Sequence, residues 1–123
     1  MSLTLAAYRR LIEFDRYLAR EDFSELYQRV REYPIQPAIT SRESIIRICA
    51  AVDMASIWYW KEVLCLQRSA ATACLLRRYG VAAQMVIGAQ AMPFRAHAWV
   101  EVEGRVVNDK PYMQEMYAVL ERC

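Results

Sequence analysis

The chain is short of the residues that loosen a polypeptide. Three glycines and four prolines in 123 residues leave little room for linkers or disordered tracts. No apolar run approaches the roughly 20 residues that span a bilayer, and the N-terminus carries no signal-peptide pattern. The expected location is therefore the cytoplasm, with no membrane partner. A net charge of +2 is too small to imply nucleic-acid binding, and the arginines lie among acids on what read as solvated helix faces. There is a single histidine, His97, and no Cys-x-x-C pair among Cys49, Cys65, Cys74 and Cys123. One imidazole and widely spread thiols do not complete a zinc site, and nothing points to a disulfide framework. Reduced thiols, no metal and no cofactor are the expectation.

What the chain has is hydrophobic residues, at 56%, enough at this length for one domain with one packed core. Residues 3–20 read as a first helix, with Leu5, Leu11, Ile12 and Leu18 at helical spacing. Asp22 and Glu25 form a D-x-x-E capping box opening a second helix to about Glu32, which Pro34 and Pro37 break. Thr40 and Glu43 mark a third, from about Ser41 to Tyr59. Its apolar positions, among them Ile46, Ile48, Cys49, Val52 and Ile57, cover more than one face and predict a well-buried helix with Cys49 in the core.

The next helix starts at or just before Cys65 and ends at Gly80, a natural C-cap, with Arg77 and Arg78 complementing the dipole. Its middle, from Ser69 to Ala73, is thin enough to lie close to neighbours on several sides. Beyond Gly80 the period changes from 3.6 to 2. Residues 82–89 read as a buried strand, 97–102 as a cleanly alternating one, and 105–108 as its hairpin partner after a turn at Glu103-Gly104. Residues 111–123 fit either a short helix or a last strand. Helices first and sheet second give an α+β chain, with a helical region over 1–60 and the chemistry in 61–123.

That chemistry centres on Cys65. A cysteine attacks as thiolate, which the positive end of a helix and a nearby imidazolium both favour. Leu64 is a poor N-cap, so the first-turn amides are left to face a substrate oxyanion. Cys74, nine residues on, falls on the opposite side of the helix and reads as packing. Cys123 is terminal and expected to be exposed. On the strand, His97, Trp99 and Glu101 share one face, while Ala96, Ala98, Val100 and Val102 share the apolar one. The histidine face is thus expected to be the open side, a base beside an aromatic wall.

A third group must hold the imidazole. A two-residue turn at Glu103-Gly104 would set Asp109 opposite Ala98, on the wrong side of the sheet. A three-residue bulged loop instead sets it opposite His97, and Glu-Gly is a weak two-residue turn signal. The bulged loop with Asp109 as acceptor is the prediction, with Asn108 and Glu101 as fallbacks.

The segments C-L-x-R-S, L-L-R-R-Y-G-V, V-I-G and P-F-R-A-H-A-W-V-E-V-x-G-R-V-V-N-D, in this order between Cys65 and Asp109, resemble lasso-peptide maturation proteases, whose larger members carry this core as a C-terminal domain. The resemblance implies a papain-like, transglutaminase-like cysteine protease core: N-terminal helices followed by a nucleophile helix packed on a small antiparallel sheet. It implies a catalytic Cys65, His97 and Asp109, and a stand-alone leader peptidase working without ATP. The cut would remove the leader of a ribosomally made precursor, after a leader with threonine one residue before its last position. It implies three partners: the precursor leader, a leader-binding recognition-element protein and a separate lasso cyclase that closes the macrolactam. Trp99, Phe94 and Arg95 flank the base and are candidates for shaping the substrate cleft. Tyr8, Phe14, Phe23, Tyr27 and Trp58 are candidates for partner docking if exposed. Two rivals stand beside this reading: another transglutaminase-like acyl transfer or deamidation, and a non-catalytic binding module.

Overall fold

A computed structural model describes residues 2–38 and 40–123. Three helices each begin where a short polar side chain satisfies a free first-turn amide. Ser2 accepts from the Leu5 amide at 3.2 Å, Asp22 from Glu25 at 3.4 Å and Ser41 from Ser44 at 3.2 Å. They open α1 (Leu3–Ala19), α2 (Phe23–Glu32) and α3 (Arg42–Trp58). The third cap is Ser41 rather than Thr40, one residue later than the T-x-x-E box placed it. Nor is α3 buried all round. Ile48, Cys49, Ala51, Val52 and Ala55 form one buried stripe, while Ile46 and Ile57 are 60% and 74% exposed. Both lie about half a helical turn from that stripe, which is the face α3 contributes to the main core.

Helix α4 (Cys65–Arg78) is the central element. Every residue from Ser69 to Arg77 is buried, and α4 touches all three preceding helices and both long strands. The small run Ser69–Ala73 is what lets neighbours approach from so many directions. The helix closes in a Schellman motif: Val81 donates to the Leu76 carbonyl and Gly80 to that of Arg77, with Gly80 at φ +88°. A Cβ at Gly80 would sit 2.7 Å from the Ala38 carbonyl oxygen, so both conformation and space call for glycine.

The chain then forms an antiparallel sheet in the order β3-β2-β1-β4, from β1 (Ala83–Ala91), β2 (Phe94–Val102), β3 (Arg105–Val106) and β4 (Ala118–Arg122). Residues 111–123 hold both of the expected alternatives, a one-turn helix α5 (Met113–Met116) and then β4. One sheet face, carrying Ala83, Met85, Ile87 and Val100, joins the helices in the main core. The other face is not open. Val86, Trp99 and Met113, with Val106 and Tyr117 packed against them, make a second, smaller core there. Glu101, on the same face, is only 2% exposed, and its carboxylate accepts from Trp99 Nε1, Gln114 and Arg122.

Gly88 makes room for this second core: a Cβ on it would meet the Trp99 ring at 2.6 Å and Tyr117 Cβ at 2.8 Å. Overpacking at such a site destabilises by about 1–3 kcal/mol. Gly88→Ala is therefore expected to lower the urea midpoint accordingly and to shift the tryptophan emission on which Trp99 reports.

The β2–β3 hairpin departs from the bulged loop. Glu101 pairs with Val106 and Val102 with Arg105, leaving a two-residue turn in which Glu103 and Gly104 take φ +53° and +77°. These are the signs of a type I′ turn, whose twist matches the strands. Glutamate accepts the left-handed conformation here because hairpin geometry outweighs its local preference. Among the described residues no helix is long and apolar enough to cross a membrane.

Candidate active site

Cys65 is the first residue of α4, its N-cap Leu64 gives no side-chain cap, and the thiol is half-buried. It lines an open cleft of about 530 Å³ together with His97. Leu18, Phe23, Tyr27 and Leu64 supply much of the apolar wall. Phe23 and Tyr27, singled out by sequence as docking aromatics, thus belong to the cleft. The α2 helix brings them there, through a contact that no local pattern encodes.

His97 Nε2 lies 2.7 Å from Asp109 Oδ2. A carboxylate only accepts, so Nε2 is the donor and Nδ1 is left as the basic nitrogen. The ring packs against a pair of touching aromatics, with Tyr117 at 5.5 Å and Trp99 at 6.3 Å between centroids, both within about 26° of parallel to it, and 6.0 Å from each other. Tyr117 lies in the segment whose structure the sequence left open, so nothing local marked it. Asp109 is itself held: its Oδ1 accepts from the Lys110 amide at 2.8 Å and an Arg68 Nη lies 3.7 Å from Oδ2. Burial alone would raise the Asp109 pKa. The bonds from His97 and Lys110 and the charges of His97 and Arg68 outweigh it and bring the carboxyl below its ordinary range. Stability from these contacts is therefore present above the ordinary carboxylate range and lost as pH falls through the depressed native value.

Cys65, Arg68 and Ser69 stand at i, i+3 and i+4, one face of α4. Arg68 reaches Asp109, and Ser69 Oγ accepts from Asn108 Nδ2 at 3.2 Å. The C-L-x-R-S segment therefore presents the thiol and grips the loop that carries the acid.

The remaining candidates lie elsewhere. Trp99 does not shape the cleft: it is fully buried in the second core behind His97, its indole N–H on Glu101. Phe94, 75% exposed, and Arg95 sit at the open end of β2, outside the cleft lining. Glu101 and Asn108 are engaged away from the ring. Phe14 is fully buried, so it offers no docking surface, whereas Trp58 is 73% exposed.

The other thiols are shielded. Burial, with the Asp53 charge, pushes Cys49 up to about 11, and burial pushes Cys74 up to about 12. Cys123 is buried rather than exposed, because residue 123 continues the pairing with β1: its amide and carbonyl both bond Met85. Burial raises its thiol too. Brief iodoacetamide treatment of the native protein at neutral pH is thus expected to label Cys65 first, checked by peptide mapping; prior labelling of Cys49 or Cys74 would contradict this arrangement. Among the described residues no group of three His, Cys, Asp or Glu side chains could hold a metal ion.

The sequence profile described as the transglutaminase-like superfamily matches residues 8–122. The chain is 41% identical over 56 residues to the microcin J25-processing protein McjB of Escherichia coli. That match covers 46% of this chain but only 27% of the relative. No solved structure matches.

Proposed function

The chain belongs to the transglutaminase-like superfamily, and from that premise we propose that it is a cysteine endopeptidase removing the leader from a ribosomally synthesised lasso-peptide precursor. The observation that carries the reading is the 2.7 Å His97–Asp109 bond, which leaves Nδ1 free on a histidine sharing its cleft with Cys65. The similarity to a microcin J25-processing protein supports the choice of substrate.

In the proposed reaction His97 Nδ1 takes the Cys65 proton and the sulfur attacks the scissile carbonyl. The oxyanion is met by free amides of the first turn of α4. As the tetrahedral adduct collapses, the C–N bond breaks and Nδ1 returns the proton to the leaving amine. Water, deprotonated by the same nitrogen, then hydrolyses the thioester and frees Cys65. Asp109 keeps the ring in the one tautomer that serves both halves. Tyr117 and Trp99 fix the ring plane. The leader is delivered by a small recognition-element protein, with Trp58 among the candidate docking residues, and a separate cyclase closes the macrolactam on the freed core peptide.

Acyl transfer to an amine would use the same three residues. The test is incubation with a leader–core precursor peptide, with and without the recognition-element protein, followed by mass spectrometry with a primary amine present. Two fragments whose masses sum to precursor plus water, faster with the partner, are expected. An amine adduct on the new carboxyl terminus would favour transfer.

A further inference from the structure

The hairpin register and the position of Asp109 pull in opposite directions. With Val102 opposite Arg105 and Glu101 opposite Val106, a continuing ladder would set Val107 against Val100 and Asp109 against Ala98. Alternation would then aim Asp109 at the face away from His97. Yet Asp109 Oδ2 is 2.7 Å from His97 Nε2, so the chain leaves the ladder before Asp109.

The departure occurs at Asn108. The Val107 amide still donates to the Val100 carbonyl at 2.9 Å. The Val100 amide, which a continuing ladder would aim at the Val107 carbonyl, donates to Asn108 Oδ1 at 2.7 Å. A side-chain carbonyl thus stands in for a backbone one, and the backbone is released to turn without orphaning a buried amide. The other end of the same side chain is also used: Asn108 Nδ2 donates to Ser69 Oγ on α4. Ser69 is fully buried and lies one turn beyond Cys65, so one amide ties together the helix of the thiol, the strand of the base and the loop of the acid.

We infer that Asn108 is a positioning residue: its side chain ends the β2–β3 ladder, clasps α4 and so turns Asp109 onto His97. This rests on reading Cys65, His97 and Asp109 as the reacting set. Only a carboxamide of this length carries an acceptor and a donor side by side on one head group, free to bond in two directions. Aspartate keeps the acceptor and loses the donor.

The one histidine among these 123 residues makes the test direct, because ¹⁵N spectra of this chain contain a single pair of ring-nitrogen signals. The wild type is expected to show a fixed Nε2–H tautomer. Asn108→Ala should give averaged tautomers, as Asp109→Ala should, and slow iodoacetamide alkylation of Cys65 by about tenfold or more. Because Asn108 acts through Asp109, the double variant should match Asp109→Ala alone in both readouts. A merely structural loss would instead add to the loss of Asp109. Ser69→Ala removes only the far end of the clasp and leaves the Val100 bond, so it should shift both readouts in the same direction by less. A fixed tautomer in Asn108→Ala, or additivity in the double variant, overturns the inference. If Asn108→Ala does not fold, unchanged tautomer and rate in Ser69→Ala overturn it. The test is separable from that of the reaction: precursor cleavage by Cys65→Ala would refute the assigned chemistry while leaving the tautomer result to stand.

Discussion

Cys65→Ala is expected to reduce precursor cleavage by about 10⁴-fold or more, because in the proposed reaction its thiolate is the group that forms the acyl intermediate. The loss should fall on the chemical step, with precursor binding kept, since the apolar wall of Leu18, Phe23, Tyr27 and Leu64 is untouched. Stability should change little, because the thiol is half-buried at the first position of α4 and supplies no cap. Cys49→Ala and Cys74→Ala, by contrast, remove buried sulfur from the main core and should lower stability while leaving turnover of the folded protein near normal. Time-resolved mass spectrometry of the precursor, alongside urea titration of each variant, separates the two patterns. Undiminished processing by Cys65→Ala would turn the assignment toward a binding module.

The elements whose signals are local were legible in the sequence. Asp22 and Gly80 mark helix ends through their own side-chain or backbone chemistry, and the thin Ser69–Ala73 run signals a helix crowded from several sides. The α+β order followed from the change of period after Gly80. Asp109 was set opposite His97 by a bulged hairpin register that the molecule does not use, yet the two side chains meet at 2.7 Å. Glu103 takes a left-handed conformation it does not favour, and Asn108 ends the ladder with its side chain. Alternation cannot foresee a side chain acting as backbone. The second core was missed for a related reason. Trp99 and Glu101 read as the wet side of β2, and only residues 113–117 arriving from later in the chain, with Arg122, make that face a dry one.

Arg77 is the buried counterpart of that lesson, and its replacement carries the second large effect. At the last turn of α4 it reads as a solvent-facing complement to the helix dipole, yet it is 6% exposed. Its Nε donates to the Ala83 carbonyl at 2.8 Å and one Nη to Cys123 at 2.6 Å. The other Nη reaches the carbonyls of Val30 and Tyr33. One guanidinium thus satisfies acceptors at the end of α2, at the start of β1 and at residue 123, places where the regular ladders stop. Burial pushes its pKa down, and the nearby Cys74 and Cys123 thiols oppose that. From so high an ordinary value it stays cationic at neutral pH. Arg77→Met keeps the apolar stem and removes the guanidinium from four carbonyls, of which Cys123 and Val30 keep only an amide donor, from Met85 and Tyr33, so the expected loss is about 2–4 kcal/mol, read from the urea midpoint. That is a large fraction of the stability of a domain this size. Arg77→Lys should recover only part of it, because a single ammonium cannot reach carbonyls in so many directions. Twelve residues of helix, about 18 Å, separate Arg77 from Cys65. Folded Arg77→Met should therefore still label at Cys65 and cleave precursor at near the wild-type rate at low temperature. The two ends of α4 would then carry separable burdens, the first turn the chemistry and the last turn the fold.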